Sequence, residues 1–158
     1  MSQSEQIKIL WGRATWELFH TIAAKINEDF FNKNRVKLFI LLIDICKNLP
    51  CPTCAQHASM IMTPNNLRYV TTKEQLITFL YNFHNQVNRQ NNKPLFKYEN
   101  LYIYKQINLG IALHNFLNFY PKRYNNSFQL NVKTNQHQRV RVANNLKQWL
   151  NQNRRAFI

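Results

Sequence analysis

The chain has 158 residues, with 21 lysines and arginines against 7 aspartates and glutamates, a formal net charge of +14. Its length fits one domain with a real core, and its mere 2 glycines argue against Gly-rich phosphate loops or a dinucleotide-binding βαβ unit, which need positive φ. No acidic residue follows Glu99, whereas basic residues continue to Arg155, an asymmetry that attracts polyanions such as nucleic acid, an anionic membrane surface or an acidic protein.

Residues 1–10 carry neither a signal-peptide core nor an Arg-rich amphipathic presequence, so no targeting segment is expected. No window approaches the apolar length of a transmembrane helix. Apolar residues at Leu10, Trp11, Ala14, Leu18, Ile22 and Ile26 predict an amphipathic helix over residues 7–26. Asn34 is the expected cap of a second helix reaching Leu49 through Val36, Phe39, Ile40, Ile43 and Cys46, with Pro50 as its stop. Pro52 suits a first helical turn, which puts Cys51 at or near the N-cap of a third helix ending near Met62.

Residues 63–71 read as a loop. Thr72 and Gln75 resemble a capping box opening a fourth helix through Leu76, Phe79, Leu80, Phe83 and Val87, ending before Pro94. A fifth helix is expected over residues 100–119, stopped by Pro121. Residues 122–134 are polar and basic, and residues 138–157 suggest a short basic helix through Val142, Leu146, Trp149 and Leu150, read as an appendage outside the core. The expectation is an all-α domain over residues 1–120, a four-helix bundle plus a short fifth helix, followed by a basic C-terminal extension over residues 121–158. Bundles of this kind hold cofactors between facing helices.

The 3 cysteines are too few for a disulfide-stapled scaffold, and Cys51-Pro52-Thr53-Cys54 forms a CxxC. At a helix start, free amide groups and the positive end of the helix dipole stabilise a thiolate, the species that exchanges with disulfides. Two other readings remain open: free thiols in a core, or a Cys3His zinc set from Cys46, Cys51, Cys54 and His57. A c-type haem needs a histidine directly after Cys54, and a thioredoxin fold needs strands around the motif. Gly12, Trp16 and His20 recur at four-residue steps along one face of the first helix, beside Trp11 and Arg13. In the fourth, His84 and Asn88 share a face, Asn85 lies beside them, and Lys93 extends from the end. Such stripes can accept a planar polar ligand, although an aromatic stripe is more often core.

The blocks Trp11-Gly12, Thr15-Trp16 and Phe19-His20, then Leu49-Pro50-Cys51-Pro52-Thr53-Cys54, then His84-Asn85-Gln86-Val87-Asn88 with Lys93-Pro94, together resemble the Erv/ALR family of FAD-linked thiol oxidases. The resemblance spans residues 10–118, and its details are similar to small members encoded by large DNA viruses. It implies a homodimeric helical bundle that holds FAD beside a redox disulfide. By position, Gly12, Arg13, Trp16 and His20 would line the flavin site from the first helix and His84, Asn85, Val87 and Asn88 from the fourth, with Lys93 and Lys97 directed to the phosphates. Cys51 would receive a thiolate from a dithiol-containing protein substrate, Cys54 would face the flavin, and dioxygen would accept the electrons as hydrogen peroxide.

Three departures accompany the resemblance. No cysteine follows Cys54 to pin the fifth helix, leaving packing to hold it. No shuttle cysteine pair is present, so an external dithiol is the expected electron source. Cys46 has no role in the family pattern and is expected as a buried core thiol, while His57 is expected to settle against the bundle. The alternative is a basic helical zinc- or nucleic-acid-binding structural module. The missing presequence favours a cytoplasmic site, a viral factory or virion included, and the basic tail is the segment for polyanion contact.

Overall fold

The computed structural model describes residues 1–122 and 130–158, and the described chain is all-α. Helix α1 (Gln3–Lys25) starts earlier than its apolar period suggests because Ser2 and Glu5 form a reciprocal capping box. The Glu5 N–H donates to Ser2 Oγ at 3.2 Å and the Ser2 N–H to the Glu5 carboxylate at 2.7 Å. Helix α2 (Glu28–Lys47) also starts early. Its cap is Asn27, whose Oδ1 accepts from the Phe30 N–H at 3.0 Å, and not Asn34, which lies inside the helix and donates to the Phe30 carbonyl at 3.0 Å. Glu28 and Asp29 in the first turn complement the helix dipole there.

Helix α3 (Pro52–Ile61) is capped by Cys51, as expected, and α4 (Pro64–Leu67) is a single turn inside the expected loop, anchored by the buried Leu67. Helix α5 (Lys73–Gln90) opens on the Thr72 and Gln75 capping box. The single helix expected over residues 100–119 is broken into a 3-10 turn (Tyr98–Tyr102), α6 (Ile103–Gln106) and α7 (Leu109–Phe119). The break falls at Ile107, which is extended, and at Asn108, whose Oδ1 accepts from the Ile111 N–H at 3.1 Å and caps a new helix.

Helix α1 packs against α5, α6 and α7, while α2 packs against α3 and α8 (Leu130–Gln152). Leu18, Ile22, Leu38, Leu42, Ile45, Leu76, Leu80 and Phe116 are sealed in one core; each such side chain contributes about 1.5–3 kcal/mol relative to exposure. Tyr120, fully buried at the end of α7, donates its hydroxyl to the Ile45 carbonyl at 2.9 Å. A hydrogen bond to α2 therefore joins packing in holding α7.

The C-terminal segment is not an appendage. Val142, Ala143, Leu146, Trp149, Leu150 and Phe157 belong to the same buried cluster as the bundle. The chain end is tied to the α1–α2 junction by the Asn27 N–H donating to the Ala156 carbonyl at 2.7 Å, the Ile158 N–H donating to the Lys25 carbonyl at 3.1 Å, and one isolated bridge between Ile26 and Phe157. The polar stretch expected over residues 122–134 lies largely outside the described residues. Among the described residues no helix is long and apolar enough to cross a membrane.

Candidate functional site

Cys51 and Cys54 are joined in a disulfide with their Cα atoms 5.1 Å apart. Cys51 is the N-cap of α3, and its Sγ accepts from the Cys54 N–H at 3.2 Å. Pro52 removes an amide hydrogen that would have no helical acceptor, so the local sequence favours a helix starting at this point. Both cysteines are half-buried. They form one wall of a cleft of about 510 Å³ between α1, α3 and the end of α5.

From α1 the cleft receives Lys8, Gly12, Arg13 and Trp16. A Cβ placed on Gly12 would meet nothing within 4 Å, so this part of the cleft is open space beside the helix backbone. From α5 come Phe83, His84, Val87 and Asn88. The His84 ring lies parallel to Trp16, with centroids 4.1 Å apart and planes 7° apart.

Behind His84 sits His20, buried, with its Nε2 2.9 Å from His84 Nδ1. Burial, with His84 as a second cause, holds His20 down to about 3. Burial, with Lys93 as a second cause, holds His84 down to about 4. Both rings are thus neutral at neutral pH, and one donates to the other. The Tyr104 ring stacks on the far side of His20 at 4.6 Å, closing the stack from Trp16 to α6.

The end of α5 is shaped by three devices in succession. Asn92 adopts φ 54°, the Asn92 N–H donates to the Arg89 carbonyl at 3.2 Å, and the Lys93 N–H donates to the Asn88 carbonyl at 2.8 Å. This is a Schellman stop with asparagine in the left-handed position, and it turns Lys93 into the cleft wall. The Asn88 side-chain amide then donates to the Pro94 carbonyl at 3.3 Å. Finally, buried Asn85 grips Phe96 by both backbone groups, accepting from its N–H at 2.8 Å and donating to its carbonyl at 3.0 Å.

The sequence model of the Erv1/Alr family matches residues 13–107, which hold the disulfide, most of the α1 stripe and all of α5. The chain belongs to the Erv1/Alr family. A candidate FAD-linked sulfhydryl oxidase of Invertebrate iridescent virus 3 is 37% identical over 86 residues, 54% of this chain and 58% of the relative. FAD-linked sulfhydryl oxidase ERV1 of Oryza sativa subsp. japonica is 34% identical over 85 residues, 54% of this chain and 43% of the relative. The FAD-linked sulfhydryl oxidase of African swine fever virus (isolate Pig/Kenya/KEN-50/1950) is 28% identical over 106 residues, 63% of this chain and 88% of the relative. The chain thus spans about half the length of the first two relatives. No solved structure matches it significantly.

Of the positions singled out in sequence, Cys51, Cys54, Gly12, Arg13, Trp16, His84, Val87, Asn88 and Lys93 converge on the cleft of this Erv1/Alr chain. His20, Asn85 and Lys97 do not line it. His20 backs His84, Asn85 is consumed by Phe96, and Lys97 is exposed ahead of the 3-10 turn. Lys8, Phe83 and Asn91 were missed. Lys8 precedes Gly12 by four residues and extends the stripe of Gly12, Trp16 and His20, while Asn91 extends the face of His84 and Val87; helical spacing carried both signals.

Cys46 is buried, as expected, and burial pushes its thiol well above the usual range. Its side also borders the cleft. His57 is exposed at the cleft margin and does not settle against the bundle, because α3 turns that face outward. The Cys3His arrangement is not assembled: Cys51 and Cys54 bond each other, and among the described residues no group of three or more His, Cys, Asp or Glu side chains gathers as a metal site.

Proposed function

We propose that the chain is an FAD-dependent thiol oxidase that makes disulfides in partner proteins. The observation that carries this reading is a disulfide at a helix N-terminus forming the wall of a cleft that also presents a flat Trp16–His84 stack. The residues present suit FAD. A cavity of about 510 Å³ is within the range of cofactor sites. Gly12 leaves space beside α1, and Trp16 with His84 offers an aromatic surface. Lys8, Arg13 and Lys93 line the cleft while no carboxylate does, which favours a pyrophosphate. The names of the relatives agree with this assignment.

In this reading a substrate thiolate attacks Sγ of Cys51, forming a mixed disulfide and expelling the Cys54 thiolate. A second substrate thiol, deprotonated, attacks the substrate sulfur of that mixed disulfide and releases Cys51, leaving the substrate oxidised and the pair reduced. The amide group at the start of α3 that donates to Cys51 Sγ and the helix dipole stabilise the thiolates formed. FAD, when bound, supplies the redox chemistry that takes the electron pair from the Cys51 and Cys54 dithiol to dioxygen, giving hydrogen peroxide. Trp16, His84, Val87 and Asn88 would hold the cofactor and Lys93 would meet its phosphates, while His20 fixes the tautomer of His84. The active species is a homodimer, as the family resemblance implies, and light scattering checks it.

The test is the visible spectrum of the purified protein. A flavin spectrum bleached anaerobically by a dithiol and restored by air supports the oxidase; colourless protein with stoichiometric zinc sinks it.

A further inference from the structure

We infer that a second site, remote from the redox cleft, binds the phosphodiester backbone of a nucleic-acid strand in the depression where the C-terminal turn meets the start of α2. It stands independently of the oxidase reading.

The depression, of about 520 Å³, is lined by Arg154 and Arg155, by the carboxamides of Asn27, Asn151, Gln152 and Asn153, and by Phe30. No carboxylate lines it. Two guanidiniums with adjacent amide donors suit phosphate oxygens, and a strand of monoanionic phosphates is the ligand that meets cations without demanding a shaped apolar pocket. Asn27 spends its Oδ1 on the Phe30 N–H, which leaves its NH2 group as a donor. Phe30 is half-buried and held edge-on by Phe157 and tilted against Trp149, with centroids 5.9 and 5.6 Å away; such a fixed ring is a platform on which a base can stack.

The site is built on a rigid support. The Arg154–Ala156 turn is pinned to the α1–α2 junction by the hydrogen bonds of Asn27 to Ala156 and Ile158 to Lys25. Two acidic residues stand close in sequence, Glu28 and Asp29, and neither lines the depression. The Glu28 carboxylate is turned to α5, where it accepts from the Lys73 N–H at 2.9 Å.

The outward face of α8 continues the same chemistry. His137, Arg141, Asn144, Asn145, Lys147 and Gln148 are exposed, and the whole segment after Glu99 contains no carboxylate side chain. Arg141 to Arg155 extends about 20 Å at the rise of a helix, long enough for several phosphates to follow the face. A membrane is a poorer match, because among the described side chains from Gln136 onward the large exposed hydrophobics are Val140 and Ile158, too little apolar surface for an interfacial helix.

The experiment is fluorescence anisotropy of a labelled single-stranded oligonucleotide titrated with the full chain at several salt concentrations. Arg154→Glu/Arg155→Glu should weaken binding by about tenfold or more. It should also flatten the log–log salt dependence by about 1.4, at about 0.7 for each phosphate that the two arginines no longer neutralise. Thermal unfolding and dithiol oxidation should stay at wild-type values, and Arg154→Lys/Arg155→Lys should keep most of the affinity. Lys47→Glu/Lys105→Glu makes the same change in net charge on other surfaces, and should bind nearly as wild type. The inference is overturned if that control weakens binding equally, if the wild-type chain does not bind the oligonucleotide at low salt, or if it binds anionic phospholipid vesicles through Arg154 and Arg155 but not the oligonucleotide.

Discussion

Mild acid should loosen this fold through two histidines. Burial first, then the neighbouring ring, keeps His20 at about 3, and burial first, then Lys93, keeps His84 at about 4; both return to about 6.5 in the unfolded chain. The folded values lie below the unfolded ones, so the unfolded state binds more protons as pH drops. The stabilisation from keeping both rings neutral is complete above about pH 6.5 and is lost as pH falls toward 4 for His84 and 3 for His20. Each group contributes a slope of about 1.4 kcal/mol per pH unit inside its window. Between pH 6.5 and 5 the pair would remove about 4 kcal/mol, and water access to His84 brings this down to about 3 kcal/mol.

Urea unfolding followed by circular dichroism at closely spaced pH values measures the effect. His20 and His84 are held well below this interval in the folded chain, so their protonation on unfolding is the effect read there. His20→Gln removes one titrating ring and should roughly halve the slope. A wild-type midpoint that does not move between pH 7 and pH 5, or a slope that survives His20→Gln unchanged, refutes the reasoning. If His84 forms the wall of the cofactor site, flavin retention should decline over the same interval.

Asn85→Ala strips both backbone partners from Phe96; with that residue only half-buried, the expected loss is about 2 kcal/mol, a fall in melting temperature of about 4–8 °C, and weaker flavin retention because the Lys93 segment is released. A melting curve matching wild type would remove Asn85 from its clamp role. Cys54→Ser should keep flavin but abolish its reduction by dithiols, whereas Cys51→Ser should lose exchange with protein substrates; normal turnover in either variant contradicts the division of labour. Leu146→Ala, in the fully buried stripe of α8, should cost about 2–5 kcal/mol and be read by denaturant midpoint. Truncating residues 122–158 should therefore destabilise the bundle, and a truncated chain as stable as the full one would mean that α8 contributes nothing to the core.

Local sequence determined whatever depends on local chemistry. The CxxC with Pro52 sets Cys51 at the start of α3, Thr72 and Gln75 open α5, and the stripe of Gly12 and Trp16 names one side of the cleft, because caps, first-turn prolines and helical periods act over three or four residues. Local competition between candidates was harder to read. Asn27 and Asn34 both have the chemistry of a cap, and the first wins because Glu28 and Asp29 follow it. Asn108 breaks an otherwise periodic run by capping α7.

Other features were settled only by tertiary contacts. The apolar stripe of α8 is visible as a period, yet its docking on α2 and the seating of Phe157 at the α1–α2 junction depend on surfaces far apart in the chain. The division among the polar residues of α5 is of the same kind. His84 faces the cleft, Asn88 both lines it and ties Pro94, and Asn85 turns inward to Phe96. Sequence sets these three on neighbouring positions of a helix, and only the approach of α1 and the return of the chain after Asn92 decide which of them is left for a ligand.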